Sequence, residues 1–70
     1  MQTFTQEIVD LVTSNGGSML YPALYDAVSP EKRSFLRNAL KEAKSLGVLK
    51  QSVRLDEQTK ALLHLIEKVS

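Results

Sequence analysis

The chain has 70 residues, enough for one domain, and contains no cysteine, which excludes disulfides, thiolate catalysis and cysteine-ligated zinc. With 43% hydrophobic and 24% charged residues it has the composition of a folded domain, and its net charge is only +1. No apolar run approaches the roughly 20 residues of a membrane span, and the first residues lack the pattern of a secretory signal. We therefore expect no membrane partner and a cytoplasmic or nuclear location.

Positive charge is concentrated in one segment of the chain. Residues 32–54 contain seven basic residues and a single acidic one, Glu42, whereas the rest of the chain has two basic and seven acidic residues. The folded domain is therefore expected to have a basic side and an acidic side. Such an asymmetry says little about the fold, but it favours a partner that carries negative charge.

The first part of the chain predicts two helices with a short strand between them. A first helix is expected over residues 3–14, because Asn15-Gly16-Gly17 is a stop-and-turn signal. Residues 18–21 are short and extended, and they are expected to pair with residues 49–53. Pro22 suits the first position of a brief second helix that ends near Val28.

A third helix is predicted over residues 30–46. Ser29 is a good N-cap, Pro30 fits the first helical turn, and Gly47 ends the helix. Its apolar positions recur at helical spacing and form one stripe: Phe35, Leu36, Ala39, Leu40, Ala43 and Leu46. Basic residues form a second stripe beside the first: Arg33, Arg37, Lys41 and Lys44. A helix with these two stripes can pack on the domain through its apolar side and contact phosphates through its basic side.

Residues 48–55 alternate between apolar and polar side chains, which predicts a strand. Lys50, Ser52 and Arg54 share one parity of this strand, so they should leave the sheet on the same side.

Asp56 is a plausible N-cap, so a fourth, C-terminal helix is predicted over residues 57–69. The apolar arc of this helix is broad for a helix that packs on one neighbour. We therefore predict a homodimer or partner interface at Leu62, Leu63 and Ile66, although a terminal helix that only closes the core would show much the same pattern.

The predicted elements follow the order helix, short strand, helix, turn, helix, strand. Within this order the chain has apolar and turn residues at Leu24, Val28-Ser29, Leu36, Leu40, Ala43 and Leu46-Gly47-Val48-Leu49. In both respects it resembles the winged helix-turn-helix superfamily. Residues 34–42 also resemble recognition helices of bacterial repressors and of a winged-helix protein of the small ribosomal subunit. The resemblance implies a mainly α (α+β) fold, a single winged-helix-like domain over residues 1–70. Because residues 50–55 contain no glycine for a hairpin turn, we expect a short or reduced wing.

The resemblance also implies which residues would touch nucleic acid. Arg33, Ser34, Arg37 and Asn38 would face bases, Lys41 and Lys44 would meet the backbone, and Lys50 and Arg54 would reach flanking phosphates. The chemistry of these side chains agrees, because arginine matches the acceptors of guanine, asparagine pairs with adenine, and lysine serves as a point charge against phosphate.

The sequence favours a binding protein over an enzyme. His64 is the single histidine and is expected at the surface, and no cluster of metal ligands accompanies it. We therefore predict no catalytic residues, no metal and no cofactor. The favoured function is DNA binding by a regulator of transcription or of another DNA transaction. Two alternatives stay open: a protein–protein interaction module with an acidic partner, and an RNA- or ribosome-binding protein.

Overall fold

The computed structural model describes residues 1–69 and contains three α-helices, one 3-10 segment and three strands. In chain order these are α1 (Thr3–Ser14), β1 (Ser18–Leu20), α2 (Tyr21–Ala27), the 3-10 segment (Pro30–Phe35), α3 (Leu36–Ser45), β2 (Leu49–Leu55) and β3 (Leu62–Lys68). The strands form one antiparallel sheet in the order β1-β3-β2. The chain is thus a small α+β domain, and no helix of the described residues is long and apolar enough to cross a membrane.

One hydrophobic core joins all three helices to one face of the sheet. Its members are Ile8, Val9, Val12, Leu24, Val28, Leu36, Ala39, Leu40, Ala43, Leu49 and Ile66. The predicted stripe of the third helix supplies Leu36, Ala39, Leu40 and Ala43, which confirms these positions as the buried face of α3. Phe35 and Leu46 are exceptions: each lies outside α3 and is more than half exposed.

Gly47 ends α3 as the sequence predicts. Its φ of +73° is a left-handed conformation that a residue with a Cβ atom adopts only with strain. The N–H of Gly47 donates to the carbonyl of Lys44, and that of Val48 donates to the carbonyl of Ala43. These two bonds form a Schellman motif, which satisfies the last carbonyls of the helix and turns the chain directly into β2.

The predicted third helix over residues 30–46 is only partly correct. The α-helix covers Leu36–Ser45, whereas Pro30–Phe35 forms a 3-10 segment. None of the residues in that segment is buried, so no packed apolar stripe holds it at the α-helical pitch. The residues that precede Leu36 in the predicted helix therefore do not continue the surface of α3.

The prediction of a C-terminal helix over residues 57–69 is wrong. Asp56 does act as a cap, but its Oδ1 accepts hydrogen bonds from the N–H groups of Gln58 and Thr59 in a tight turn. Lys60 then takes a φ of +60°, and the N–H of Asp56 donates to the carbonyl of Ala61 across the turn. The chain consequently reverses and continues as β3, because a left-handed residue cannot extend a helix.

The prediction of a short or reduced wing is also wrong. β2 and β3 are seven residues each and pair along their whole length, from Leu49 opposite Lys68 to Leu55 opposite Leu62. The positive φ that a hairpin turn requires comes from Lys60 rather than from a glycine. The sequence predicts that residues 18–21 pair with residues 49–53. In the structure β1 pairs with β3 instead.

The interface predicted at Leu62, Leu63 and Ile66 does not exist as one surface. Ile66 is only 1% exposed and belongs to the core, whereas Leu62 is 64% exposed. Leu62 and Leu63 are neighbours on a strand, so their side chains leave opposite faces of the sheet. The predicted homodimer through a C-terminal helix therefore loses its structural basis.

The different burial of Ile66 and Leu62 gives a test of the strand. We expect Ile66→Ala to lower the free energy of unfolding by about 2–5 kcal/mol, because it opens a cavity in the core. Leu62→Ala should change it by less than about 0.5 kcal/mol, because its side chain is already in water. Urea denaturation followed by circular dichroism measures both, and equal losses would contradict the strand.

Candidate nucleic-acid interface

Arg37, Lys41 and Lys44 form one exposed surface on α3, which we call the α3 basic face. At about 100° per residue these three positions lie within an arc of about 60°. Leu36 and Ala43 are fully buried and lie about 110–130° around the helix from the centre of this face. Core packing therefore orients the helix so that its basic residues point to solvent.

No carboxylate of the described residues neutralises the α3 basic face. The one ion pair in residues 1–69 joins the Lys32 Nζ atom to Glu7 at 3.5 Å and involves none of these three residues. Glu42 is the only acidic residue of α3, but its Oε1 accepts a hydrogen bond of 2.9 Å from the backbone N–H of Gln2. This hydrogen bond, with help from the Thr5 hydroxyl, lowers the pKa of Glu42 below 4.5. The carboxylate is thus held against the start of α1.

Arg33 makes contacts within the domain. Its Nε atom donates to the Tyr25 carbonyl at 2.9 Å, and its guanidinium carbon lies 4.7 Å from the centre of the Tyr25 ring. The side chain therefore ties the 3-10 segment to the end of α2 through a hydrogen bond and a cation–π contact. Ser34 is exposed in the same 3-10 segment and lies outside α3.

Asn38 lies on the side of α3 that adjoins α1. It is exposed and, with Phe4 and Phe35, lines an open cavity of about 340 Å³. Helical geometry places Asn38 about 60° from Lys41, so the two can contact one ligand surface. Asn38 thus borders the α3 basic face on the side opposite to the hairpin.

Lys50 and Arg54 lie on another surface. Leu49 and Gln51 face the helices, since Leu49 is buried and Gln51 accepts a hydrogen bond from Lys44. Lys50, Ser52 and Arg54 have the opposite parity, so they share the outer face of the sheet. Their common orientation agrees with the sequence, but the sheet separates Lys50 and Arg54 from the α3 basic face.

The sequence missed a groove between α3 and the hairpin. It has a volume of about 290 Å³ and is lined by Tyr21, Arg37, Leu40, Lys44, Gln51 and His64. Lys44 Nζ lies 3.1 Å from Gln51 Oε1, and Gln51 Nε2 lies 3.3 Å from His64 Nδ1. His64 is exposed, as expected, but it is on a strand and not on a helix. Only the pairing of β2 with β3 brings Gln51 and His64 together.

The distal half of the hairpin exposes apolar side chains. Val53, Leu55 and Leu62 share the face that carries Gln51 and His64, and they are 53%, 57% and 64% exposed. Because the helices do not cover this part of the sheet, the three side chains lie in solvent. The hairpin therefore presents an apolar surface next to the groove.

Comparisons of the chain with protein-family models, with curated proteins and with solved structures give no match. The function must therefore be inferred from the chemistry of the surfaces described above.

Arg33 and Arg37 form a matched pair for testing the internal contacts. We expect Arg33→Ala to destabilise the fold by about 1–2 kcal/mol, because it removes both the hydrogen bond and the cation–π contact to Tyr25. Arg37→Ala should change stability by less than about 0.5 kcal/mol. Urea unfolding gives both values, and equal stability of the two variants would refute the anchoring role of Arg33.

Glu42 should make the fold sensitive to acid. Its folded pKa lies below the ordinary value of 4.5, so its stabilising effect is present above the unfolded pKa and is lost as the pH falls through the folded pKa. Glu42→Gln should therefore lower stability near neutral pH and flatten the decline on acidification. Urea midpoints between about pH 3 and pH 7 measure this dependence. Glu57→Gln in the exposed turn is the control and should keep the slope of the original protein.

Proposed function

We propose that this chain is a winged helix-turn-helix protein that binds DNA through α3 and regulates transcription or another DNA transaction. The element order α1-β1-α2-α3-β2-β3 and the strand order β1-β3-β2 support it, since a hairpin beside the third helix is the arrangement this fold requires. The observation that carries the proposal is the α3 basic face, whose three cations are exposed and unneutralised within the described residues.

In this proposal α3 enters the major groove. An α-helix with its side chains is about 10–12 Å across and the major groove is about 12 Å wide, so one helix fits with its basic face toward the DNA. Arg37 and Asn38, near the N-terminal end of α3, reach base edges, and Ser34 lies just before them. Lys41 and Lys44 contact the backbone. Lys60 at the hairpin tip is a further cation that the sequence did not single out.

DNA suits this geometry better than double-stranded RNA. The major groove of A-form RNA is too deep and narrow for side chains on a helix to read its bases. A helix that presents its whole exposed face to the ligand therefore favours B-form DNA. RNA or ribosome binding stays an alternative. It is tested by measuring the affinity for an RNA duplex beside that for a DNA duplex of matching sequence.

A protein-interaction module is the second candidate. Val53, Leu55 and Leu62 are exposed on one face of the hairpin, and adjacent apolar side chains of this size are a common feature of protein interfaces. In that case the α3 basic face would contact an acidic protein partner. The two functions differ in their response to naked duplex DNA.

The proposal is tested by fluorescence anisotropy with a mixed-sequence DNA duplex over a range of salt concentrations. We expect the logarithm of affinity to fall with that of salt with a slope of about −2, as the two phosphates neutralised by Lys41 and Lys44 require. Arg37→Glu combined with Lys41→Glu should weaken binding at least about tenfold, because it removes one base contact and one phosphate contact and adds repulsion.

The control for this double variant is Lys50→Glu with Arg54→Glu, which changes the net charge equally but acts on the outer face of the sheet. It should retain most of the affinity, and circular dichroism should show both variants folded. Equal losses would assign binding to overall charge rather than to α3. No binding at low salt would reject the DNA proposal and favour the interaction module.

A further inference from the structure

The groove between α3 and the hairpin gathers hydrogen-bond donors from three elements. Arg37 and Lys44 come from α3, Gln51 from β2 and His64 from β3, and Tyr21 also lines the groove. No carboxylate of the described residues lines this groove. A concave site that combines fixed positive charge with several N–H donors is suited to an anion.

A chain of hydrogen bonds fixes the orientation of the donors. The Lys44 ammonium can only donate, so the Gln51 side-chain oxygen must be the atom 3.1 Å from it. The Gln51 NH₂ group therefore faces His64 Nδ1, at 3.3 Å, and donates to it. In the neutral ring the proton then resides on Nε2. Gln51 thus leaves His64 with its Nε2–H group free to donate to a ligand.

The groove is continuous with the α3 basic face, because Arg37 and Lys44 belong to both. An anion in the groove would therefore lie beside any polyanion that contacts α3. A free phosphate would need only the groove itself, whereas a backbone phosphate also accounts for the exposed Lys41 further along the same face.

We infer that this groove binds one backbone phosphate of the nucleic acid, with Lys44 and His64 as its direct contacts. Gln51 is a positioning residue that acts through Lys44 and His64. The inference rests on the proposed function and extends it, since it adds His64 and Gln51 to the interface and gives the hairpin a role that does not need Lys50 or Arg54.

The first test measures duplex affinity for His64→Ala and Gln51→Ala. Each should weaken binding by about three- to tenfold, the effect of one lost hydrogen bond. Gln51→Ala should leave the salt slope unchanged, because an amide carries no charge, whereas Lys44→Met should reduce the slope by about one unit. Gln58→Ala in the hairpin turn is the matched control for Gln51→Ala and should bind like the original protein.

The second test detects the groove directly by NMR. The ¹⁵N shifts of the His64 ring, recorded for its neutral form, should show the Nε2–H tautomer, and Gln51→Ala should remove this preference. Addition of duplex should shift the His64 ring and the Gln51 side-chain amide. Inorganic phosphate should shift the same signals weakly and be displaced by duplex.

The outcomes separate the two proposals. If duplex binds but His64→Ala and Gln51→Ala behave like the Gln58→Ala control, the groove inference is overturned while DNA binding by α3 stands. If duplex does not bind, the proposed function fails. Saturation by inorganic phosphate in that case would make the groove a small-anion site, which overturns its assignment to a backbone phosphate.

Discussion

The position of every hairpin side chain depends on how β3 pairs with its two neighbours. β3 is the central strand, and it places Ile66 in the core, opposite Met19 of β1 and Gln51 of β2. A slip of one residue would transfer Ile66 to the outer face, so burial of this side chain holds the register. The same register directs Gln51 and His64 toward α3 and sends Lys50 and Arg54 to the outer face. The burial of Ile66 thus determines which polar groups lie next to the α3 basic face.

The parts of the fold that depend on local periodicity could be predicted from the sequence. α1 and α3 repeat apolar residues at helical spacing, and Gly47 provides the left-handed residue that ends α3. The α3 basic face follows from the same periodicity, since a helix with Leu36 and Leu40 in the core must expose Arg37, Lys41 and Lys44. The spacing of residues along one helix was therefore sufficient to predict this part of the site.

The parts that depend on contacts between distant residues could not be predicted. The apolar run that includes Leu62, Leu63 and Ile66 has no clear period, and a short run of this kind fits a strand or a buried helix equally well. Asp56 added to the error, because an aspartate caps a tight turn with the same hydrogen bonds that cap a helix. Arg33 was assigned to the interface because the helix was extended too far, and its contact with Tyr25 needs the chain reversal between α2 and the 3-10 segment.

Only part of the positive charge in residues 32–54 lies on the α3 basic face. Of the seven basic residues in this segment, Lys32 is paired with Glu7, Arg33 is bound to the end of α2, and Lys50 and Arg54 lie behind the sheet. Three remain on the α3 basic face. A ligand that contacts α3 therefore gains the attraction of about three charges and not seven, which limits the salt-dependent part of its affinity. Tight binding through this surface must then draw on directed hydrogen bonds, such as those that the groove beside the hairpin can donate.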